Sequence, residues 1–236
     1  MSSLVSCCLL AATAAVTPSG DELLARIADA GSRRQTVSYS GLRKYILRNA
    51  RFSQKATVFV QMTHRPAEGK RFHVLERSGS DRLSGIVEKL LATEVDASKP
   101  AKRADYEISP ENYSGRVRGM GTMAGRNCYI LEVSPKRKNK LLIEGTVWVE
   151  TNSYAIVRLQ GSVVASISIW TGRPEIVAEF SEVGGFWLPS YVRSVSSGAL
   201  LGTSELEIRY SDYRIPDTDP PGSLQVGRIP SASPNR

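Results

Sequence analysis

The sequence predicts a mainly β protein of the α+β class: one strongly curved antiparallel sheet, a half-barrel of about 11 strands, with two amphipathic helices covering its concave face. Three observations lead to this prediction. Apolar and polar residues alternate with the two-residue period of a strand over most of the chain. Short segments rich in Gly, Pro, Asn and Ser separate these runs, which favours antiparallel neighbours. Only two segments have helical spacing, and each has one apolar side that needs a cover.

The composition is that of a folded globular domain. Of 236 residues, 41% are hydrophobic and 23% are charged, which excludes collagen-like, disulfide-scaffold and wholly disordered chains. The net charge of +8 favours an acidic partner or an anionic surface. The cations alternate with apolar residues along predicted strands and do not form a recognised DNA- or RNA-binding motif. We therefore expect no nucleic-acid partner.

Residues 1–16 are predicted to be a signal peptide. A 13-residue apolar stretch from Leu4 to Val16 is too short for a bilayer span, which needs ~20 residues. It fits the apolar region of an export signal, and Ala12-Thr13-Ala14 supplies a cleavage pattern of small residues. Because no basic residue precedes the stretch, either translation starts further upstream or the segment has another role. An alternative interpretation is a lipobox in which Cys7 carries a lipid anchor.

The first half of the chain predicts a helix, three strands and a second helix. Ser19 and Glu22 form a capping box that begins a short helix, which we expect to end at Gly31. A strand with a bulge or bend at Gly41 follows. The three strands are predicted at residues 35–47, 54–63 and 71–77. The second helix, at residues 82–95, has an apolar face formed by Leu83, Ile86, Val87, Leu90 and Leu91.

The second half of the chain predicts strands only. A polar segment at residues 98–105 leads into it. The predicted strands are residues 113–121, 126–134, 142–150, 155–163, 165–171, 175–183, 187–197 and 202–213. These elements form a single domain at residues 19–215. Residues 216–236 contain five prolines and few apolar anchors, so we expect an extended or disordered tail.

An apolar ligand cavity is expected under the helices. If the sheet curves, the face with Val58 and Val60 and the face with Val147 and Val149 converge there. They should leave a void of ~300–1,000 Å³, the size of small-molecule sites. The candidate cavity residues are Val58, Val60, Met62, Leu83, Ile86, Val87, Leu90, Leu91, Val147, Trp148 and Val149.

A basic hairpin tip is a second candidate site. Lys136, Arg137, Lys138 and Lys140 could contact anionic headgroups or an acidic partner, and the alternative is a solubilising turn.

No residue pattern indicates catalysis. His64 and His73 flank a loop and are interpreted as unrelated surface histidines, since no nucleophile accompanies them. Beyond residue 16 the sole cysteine is Cys128, which excludes a Cys/His zinc cluster. We expect no metal, no cofactor and no enzymatic activity.

Six segments resemble the bacterial lipoprotein-carrier superfamily, the LolA/LolB-like proteins of outer-membrane lipoprotein sorting. In chain order they are YEISP (106–110), YILEVSPK (129–136), GTVWVE (145–150), YAIVRL (154–159), VGGFWLP (183–189) and YSDY (210–213). The resemblance implies a periplasmic half-barrel whose apolar cavity binds the acyl chains of lipids or lipoproteins, with an inner-membrane transporter as a partner. Other relatives with this fold sense envelope signals for sigma-factor control. That alternative implies a membrane-anchored regulator as the partner.

Overall fold

The computed structural model describes residues 17–139, 141–164, 173–198 and 202–216. Its elements are α1 (Gly20–Gln35), β1 (Tyr39–Asn49), β2 (Gln54–Arg65), β3 (Gly69–Gly79), α2 (Asp81–Ala97), α3 (Pro100–Arg103), a 3₁₀ turn (Ala104–Tyr106), β4 (Tyr113–Met123), β5 (Arg126–Pro135), β6 (Ile143–Glu150), β7 (Ile156–Val163), β8 (Glu175–Val183), β9 (Phe186–Gly198) and β10 (Gly202–Arg214). The predicted signal peptide, the predicted strand at 165–171 and the tail beyond residue 216 lie outside the described residues.

All ten described strands belong to one antiparallel sheet. Its order is β3-β2-β1-β10-β9-β8-β7-β6-β5-β4, so β1 pairs with β10 and the edges are β3 and β4. The sheet is curved and does not close, which confirms the predicted half-barrel. Its order follows from short hairpins, which place consecutive strands side by side. The one long crossing is the helical segment between β3 and β4, which connects the two edges.

Bulges contribute to the curvature of the sheet. Five of the strand pairs contain a register shift, and one of these shifts lies between Ser40 and Leu42 in the pairing of β1 with β10. This shift confirms the irregularity predicted at Gly41. A bulge inserts one extra residue and increases the local twist of the strand. Repeated along the sheet, such shifts turn a flat ladder into a trough.

Helix α1 covers the β4 end of the trough. The Ser19 hydroxyl accepts a hydrogen bond from the Glu22 amide at 3.2 Å, which confirms the predicted N-cap. The helix lies directly on β4 at Gly20. The approach is so close that a Cβ added to this glycine would stand 1.9 Å from the Gly115 carbonyl oxygen. One apolar cluster buries this side of the helix. Its members are Leu23, Leu24, Ile27, Tyr113, Leu131, Val133, Leu142, Val147, Val149 and Leu159.

The predicted end of α1 at Gly31 is wrong, because the helix continues to Gln35. An interior glycine costs a helix only about 1 kcal/mol relative to alanine. Arg33 and Arg34 lie in the last turn, where cations interact favourably with the helix dipole. The Thr36 hydroxyl donates to the Arg33 carbonyl at 2.8 Å and satisfies one of the terminal acceptors. The extension includes Arg34, which lines the cavity described below.

Helix α2 covers the other end of the trough, over β1, β2 and β3. Its buried face consists of Leu83, Val87 and Leu91 together with Ser84. The predicted face is wrong at Ile86, which is 42% exposed, and Leu90 is only half-buried. The helix is thus rotated so that Ser84 rather than Ile86 faces the sheet. The apolar cluster beneath it contains Tyr45, Leu47, Ala56, Val58, Val60, Leu83, Val87, Leu91 and Ile208.

The segment between α2 and β4 is ordered by side-chain hydrogen bonds. The polar segment at 98–105 contains α3 followed by the 3₁₀ turn. The buried Asn112 amide donates to the carbonyls of Ala104 at 2.7 Å and Glu107 at 2.8 Å. These bonds hold the turn across the open side of the sheet. Within the described residues, no helix has both the length and the apolar character needed to cross a membrane.

Candidate functional site

A cavity of about 510 Å³ lies on the concave side of the sheet, between the two helices. The C-terminal half of α1 and the end of α2 form two walls, and the 3₁₀ turn with the residues after it forms a third. Strands β7, β8 and β9 contribute the floor. The apolar and aromatic lining residues are Ile27, Ala28, Ala30, Tyr39, Ala97, Tyr106, Ile108, Ala155, Ile156, Leu159, Phe180, Phe186, Trp187 and Pro189. The volume lies within the ~300–1,000 Å³ of small-molecule sites.

The cavity exists because two helices fill only the two ends of the trough. The apolar face of α1 closes the cluster over β4–β7, and α2 closes the cluster over β1–β3. A third cluster, consisting of Tyr39, Met62, Leu188 and Ile215, packs at the end of β2. Where the helices separate, the described side chains leave a cavity of about 510 Å³ between the clusters. The void therefore lies between packed regions and not within any of them.

None of the residues predicted from sequence lines this cavity. The structure brings Val58, Val60, Leu83, Val87 and Leu91 together, but in the packed cluster under α2.

The remaining predicted residues lie elsewhere. Val147 and Val149 belong to the cluster under α1 and Met62 to the third cluster. Trp148 points to the opposite face from its neighbours, with the Arg158 guanidinium 5.8 Å from its ring. Strand periodicity correctly identified which valines face inward, but it did not distinguish a packed face from an open one.

The basic hairpin tip is partly occupied by internal contacts. Lys136 Nζ donates to the Pro110 carbonyl, and Arg137 donates to the Asn112 side-chain oxygen at 2.6 Å. These bonds attach the hairpin to the segment that bridges the open side. Lys138 is exposed, and Lys140 lies outside the described residues. Lys136 and Arg137 therefore stabilise this loop, and a headgroup contact would have to compete with those bonds.

A buried ionic cluster joins α2 to the sheet near the cavity. Arg43 of β1 is 2% exposed, and its Nη1 donates to Glu94 at 2.8 Å and to the Tyr45 hydroxyl at 3.1 Å. Its guanidinium lies between the rings of Phe72 and Tyr210, at 4.9 and 4.8 Å.

Lys70 binds the other oxygen of Glu94, at 2.6 Å. Two cations thus share one carboxylate, and both Lys70 and Glu94 line the cavity. Sequence reasoning missed Arg43. The available signal was a cation at an inward position of β1, between Tyr39 and Tyr45.

Acid should weaken the fold through Glu94. Burial by itself would raise the pKa of this carboxyl, but Lys70 and Arg43 outweigh it and lower the pKa from 4.5 to about 2. A carboxyl whose pKa falls on folding stabilises the native state above its unfolded pKa of ~4.3. That contribution is lost as the pH falls from the unfolded pKa through the folded one. We expect urea unfolding to show the stability gap between the wild type and Glu94→Gln shrinking over this pH range, and a constant gap would contradict it.

His64 is a cavity residue, which corrects its interpretation as a surface histidine. It is buried and stacks on Tyr39 with ring centroids 4.8 Å apart. Its Nδ1 donates to the Val37 carbonyl at 3.1 Å. Burial lowers the pKa of His64, the bond to Val37 opposes that change, and Lys70, Arg103 and Arg34 lower it further. His64 is therefore neutral at pH 7. His73 is exposed.

Three arginines line the cavity that contains His64. Arg33 pairs with the Asp29 carboxylate at 3.5 Å, whereas Arg34 and Arg103 have other partners. Arg34 Nη1, in the last turn of α1, donates to the Trp187 carbonyl at 3.3 Å. Arg103 Nη1, at the end of α3, donates to the Gln35 side-chain oxygen and the Pro66 carbonyl, both at 3.4 Å. Both side chains are half-buried. Among the described residues, no group of three or more His, Cys, Asp or Glu is placed to hold a metal ion.

No protein-family model and no curated protein sequence matches this chain. Solved structures similar to it include three from different organisms. A DUF1329 family protein from Desulfovibrio piger is 12% identical, with 85% of this chain and 94% of that one covered and a TM-score of 0.46. A putative outer-membrane lipoprotein-sorting protein domain from Vibrio parahaemolyticus is 13% identical, with coverages of 86% and 94% and a TM-score of 0.45.

The third is a LolA superfamily protein from Nitrosomonas europaea. It is 12% identical to this chain, with coverages of 84% and 94% and a TM-score of 0.45. Similarity at this level does not assign a ligand or an activity.

Proposed function

We propose that this chain is a non-catalytic periplasmic protein that binds acyl chains of lipids or lipoproteins, in outer-membrane lipoprotein sorting or transport. The observation that carries the proposal is the 510 Å³ cavity with its mainly apolar and aromatic lining. The resemblance of the six sequence segments to lipoprotein carriers supports the same class of ligand. An inner-membrane transporter or a membrane-anchored regulator would be the partner that supplies or responds to the ligand.

The mechanism is shielding of an apolar chain from water. Each methylene group that leaves water for the cavity contributes ~0.8 kcal/mol. An empty apolar void forfeits van der Waals contacts of its lining atoms, and a ligand restores them. The rings of Phe180, Phe186 and Trp187 provide large contact areas for an acyl chain. Binding and release require no covalent chemistry, in agreement with the absence of a catalytic pattern in the sequence.

Filling the cavity from α1 should abolish ligand binding without loss of stability. Gly31 lines the cavity, and a Cβ built on it meets nothing within 4 Å. The Gly31→Trp side chain would occupy open space, and removal of an interior helical glycine is itself favourable. We expect the wild type to bind the uncharged fluorescent probe Nile red stoichiometrically, with displacement by acyl chains. Gly31→Trp should bind neither the probe nor the acyl chains and should melt no lower than the wild type.

Gly31→Ala is the matched control. It adds one methyl group, should stabilise the helix by up to about 1 kcal/mol, and should leave probe binding intact. Two results would contradict the proposal: a wild type that binds no probe, or a Gly31→Trp variant that binds probe and acyl chain as the wild type does. The first result would favour an envelope-sensing interaction module with the same fold.

A further inference from the structure

We propose that the cavity selects amphiphiles with an anionic headgroup, a carboxylate or a phosphate, and that Arg34 and Arg103 hold this headgroup. The inference rests on the proposed function and names the ligand class of the same cavity. It follows from the charges of the lining residues and from the way the two arginines are bonded.

The two guanidinium groups come from different elements, α1 and α3, and both residues line the cavity. Arg103 donates to the side chain of Gln35, the residue next to Arg34. The acceptors recorded for Arg34 and Arg103 are two carbonyls and one side-chain amide oxygen. No carboxylate of the described residues lies within ion-pair distance of either one. Each guanidinium carries five donors in a planar fork suited to carboxylate and phosphate, and the recorded bonds use only one nitrogen of each.

The other charged groups of the lining leave a positive excess. Lys70 shares Glu94 with the buried Arg43, so that cluster contains two cations and one anion. Glu182 pairs with Arg126 at 3.0 Å. Glu107 is the remaining acidic group, and burial raises its pKa even though Arg103 and Arg34 lower it. Glu107 thus opposes an incoming anion, but it does not form an ion pair with either arginine.

The lining has a polar part beside an apolar part, and this arrangement suits an amphiphilic ligand. The carbonyl of Trp187 accepts the Arg34 bond, and Trp187 lines the cavity together with Phe180 and Phe186. The Arg126 guanidinium lies 4.8 Å from the Trp187 ring. An acyl chain along the apolar part would bring its headgroup to the guanidinium groups of Arg34 and Arg103. A neutral headgroup would displace water from two cations without supplying charge, which is unfavourable. An anionic headgroup would form charge-assisted hydrogen bonds, which are about twice as strong as neutral ones.

The test compares laurate with dodecanol, which have the same chain and differ in the charge of the headgroup. Each displaces Nile red at neutral pH, below its self-association concentration. We expect laurate to bind the wild type roughly tenfold more tightly than dodecanol, since a hydrogen bond to a charged group contributes more than one to a neutral group. This preference should shrink at high salt. It should disappear in the Arg34→Gln/Arg103→Gln double variant, whose dodecanol affinity should stay unchanged.

Three control variants test whether the preference for laurate depends specifically on the charges of the cavity lining. Arg118→Gln removes one cation from β4, where Arg118 pairs with Glu132 on the exposed surface, and should keep the preference. Arg34→Lys keeps the charge and should retain most of the preference. If the glutamine double variant fails to fold, the single variant Arg34→Gln replaces it and should lose part of the preference. Glu107→Gln removes the opposing carboxylate and should increase the preference for laurate.

The outcomes separate this inference from the proposed function. Equal affinities for laurate and dodecanol in the wild type, or a preference that survives in the double variant, would overturn the inference while the cavity still binds acyl chains. Failure of both ligands to bind would overturn the proposed function together with the inference. Inorganic phosphate that binds as tightly as laurate would identify a site for a free anion, and the amphiphile would then be the wrong ligand.

Discussion

Val87→Asp should prevent folding or lower the free energy of unfolding by about 4 kcal/mol or more, because burial of an unpaired charge is among the costliest single substitutions. Val87 is 0% exposed and lies in the cluster between α2 and the sheet. The introduced carboxylate would have to enter this cluster ionised, or take up a proton at neutral pH. Thermal or urea unfolding followed by circular dichroism measures the loss.

Ile86→Asp is the matched control for this substitution. It changes a β-branched residue to aspartate on the same helix, one position away, but Ile86 is 42% exposed. We expect a change within about 0.5 kcal/mol, as for most surface positions. If both variants lose the same stability, the described rotation of α2 on the sheet is wrong.

Glu94→Leu should lower the free energy of unfolding by about 3 kcal/mol, the lower part of the range for removing one partner of a buried ion pair. The reason is the charge that remains, since Arg43 is 2% exposed and cannot reach water. The lower part of the range applies because the Glu94 side chain itself is 33% exposed. Urea unfolding at neutral pH measures this difference.

Two further variants test whether the loss of stability in Glu94→Leu arises from the unpaired charge of Arg43. Glu88→Leu removes an exposed carboxylate of α2 that pairs with Arg77, and should cost no more than about 1 kcal/mol. The double variant Arg43→Met/Glu94→Leu removes the stranded charge and should regain most of the stability lost by Glu94→Leu. A double variant that is less stable than Glu94→Leu would show that the cluster acts through packing and not through compensation of charge.

Local sequence patterns predicted the elements well because the relevant forces act within a few residues. The Ser19 N-cap marked the start of α1, and the alternation along β2 identified Val58 and Val60 as inward-facing. The end of α1 was harder to predict from the sequence. Gly31 carries a local signal for termination, whereas the helix continues to Gln35 because the cost of one glycine is small compared with the contacts and dipole interactions of a further turn.

The sequence predicted an apolar cavity, but it did not predict where the cavity lies or which residues line it. Its expected lining came from the most regular apolar faces, but such faces pack well for the same reason that they are regular. Much of the actual lining comes from the C-terminal half of α1, the end of α2, the 3₁₀ turn and the β8–β9 hairpin. Arg34, Arg103 and Trp187 are far apart in the chain, and no spacing rule relates them.

The sequence alone determined that this protein is a curved antiparallel half-barrel with two amphipathic helices, because strand period, helix period and turn residues are local properties. The tertiary structure alone decided which apolar faces close on each other and where they leave a gap. It also placed Arg43 with Glu94 and Lys70, and brought Arg34 and Arg103 into the lining of one cavity. These outcomes depend on the angle and rotation of each helix across the trough. Small rotations, such as the one that buries Ser84 in place of Ile86, change packing energies without changing any local pattern.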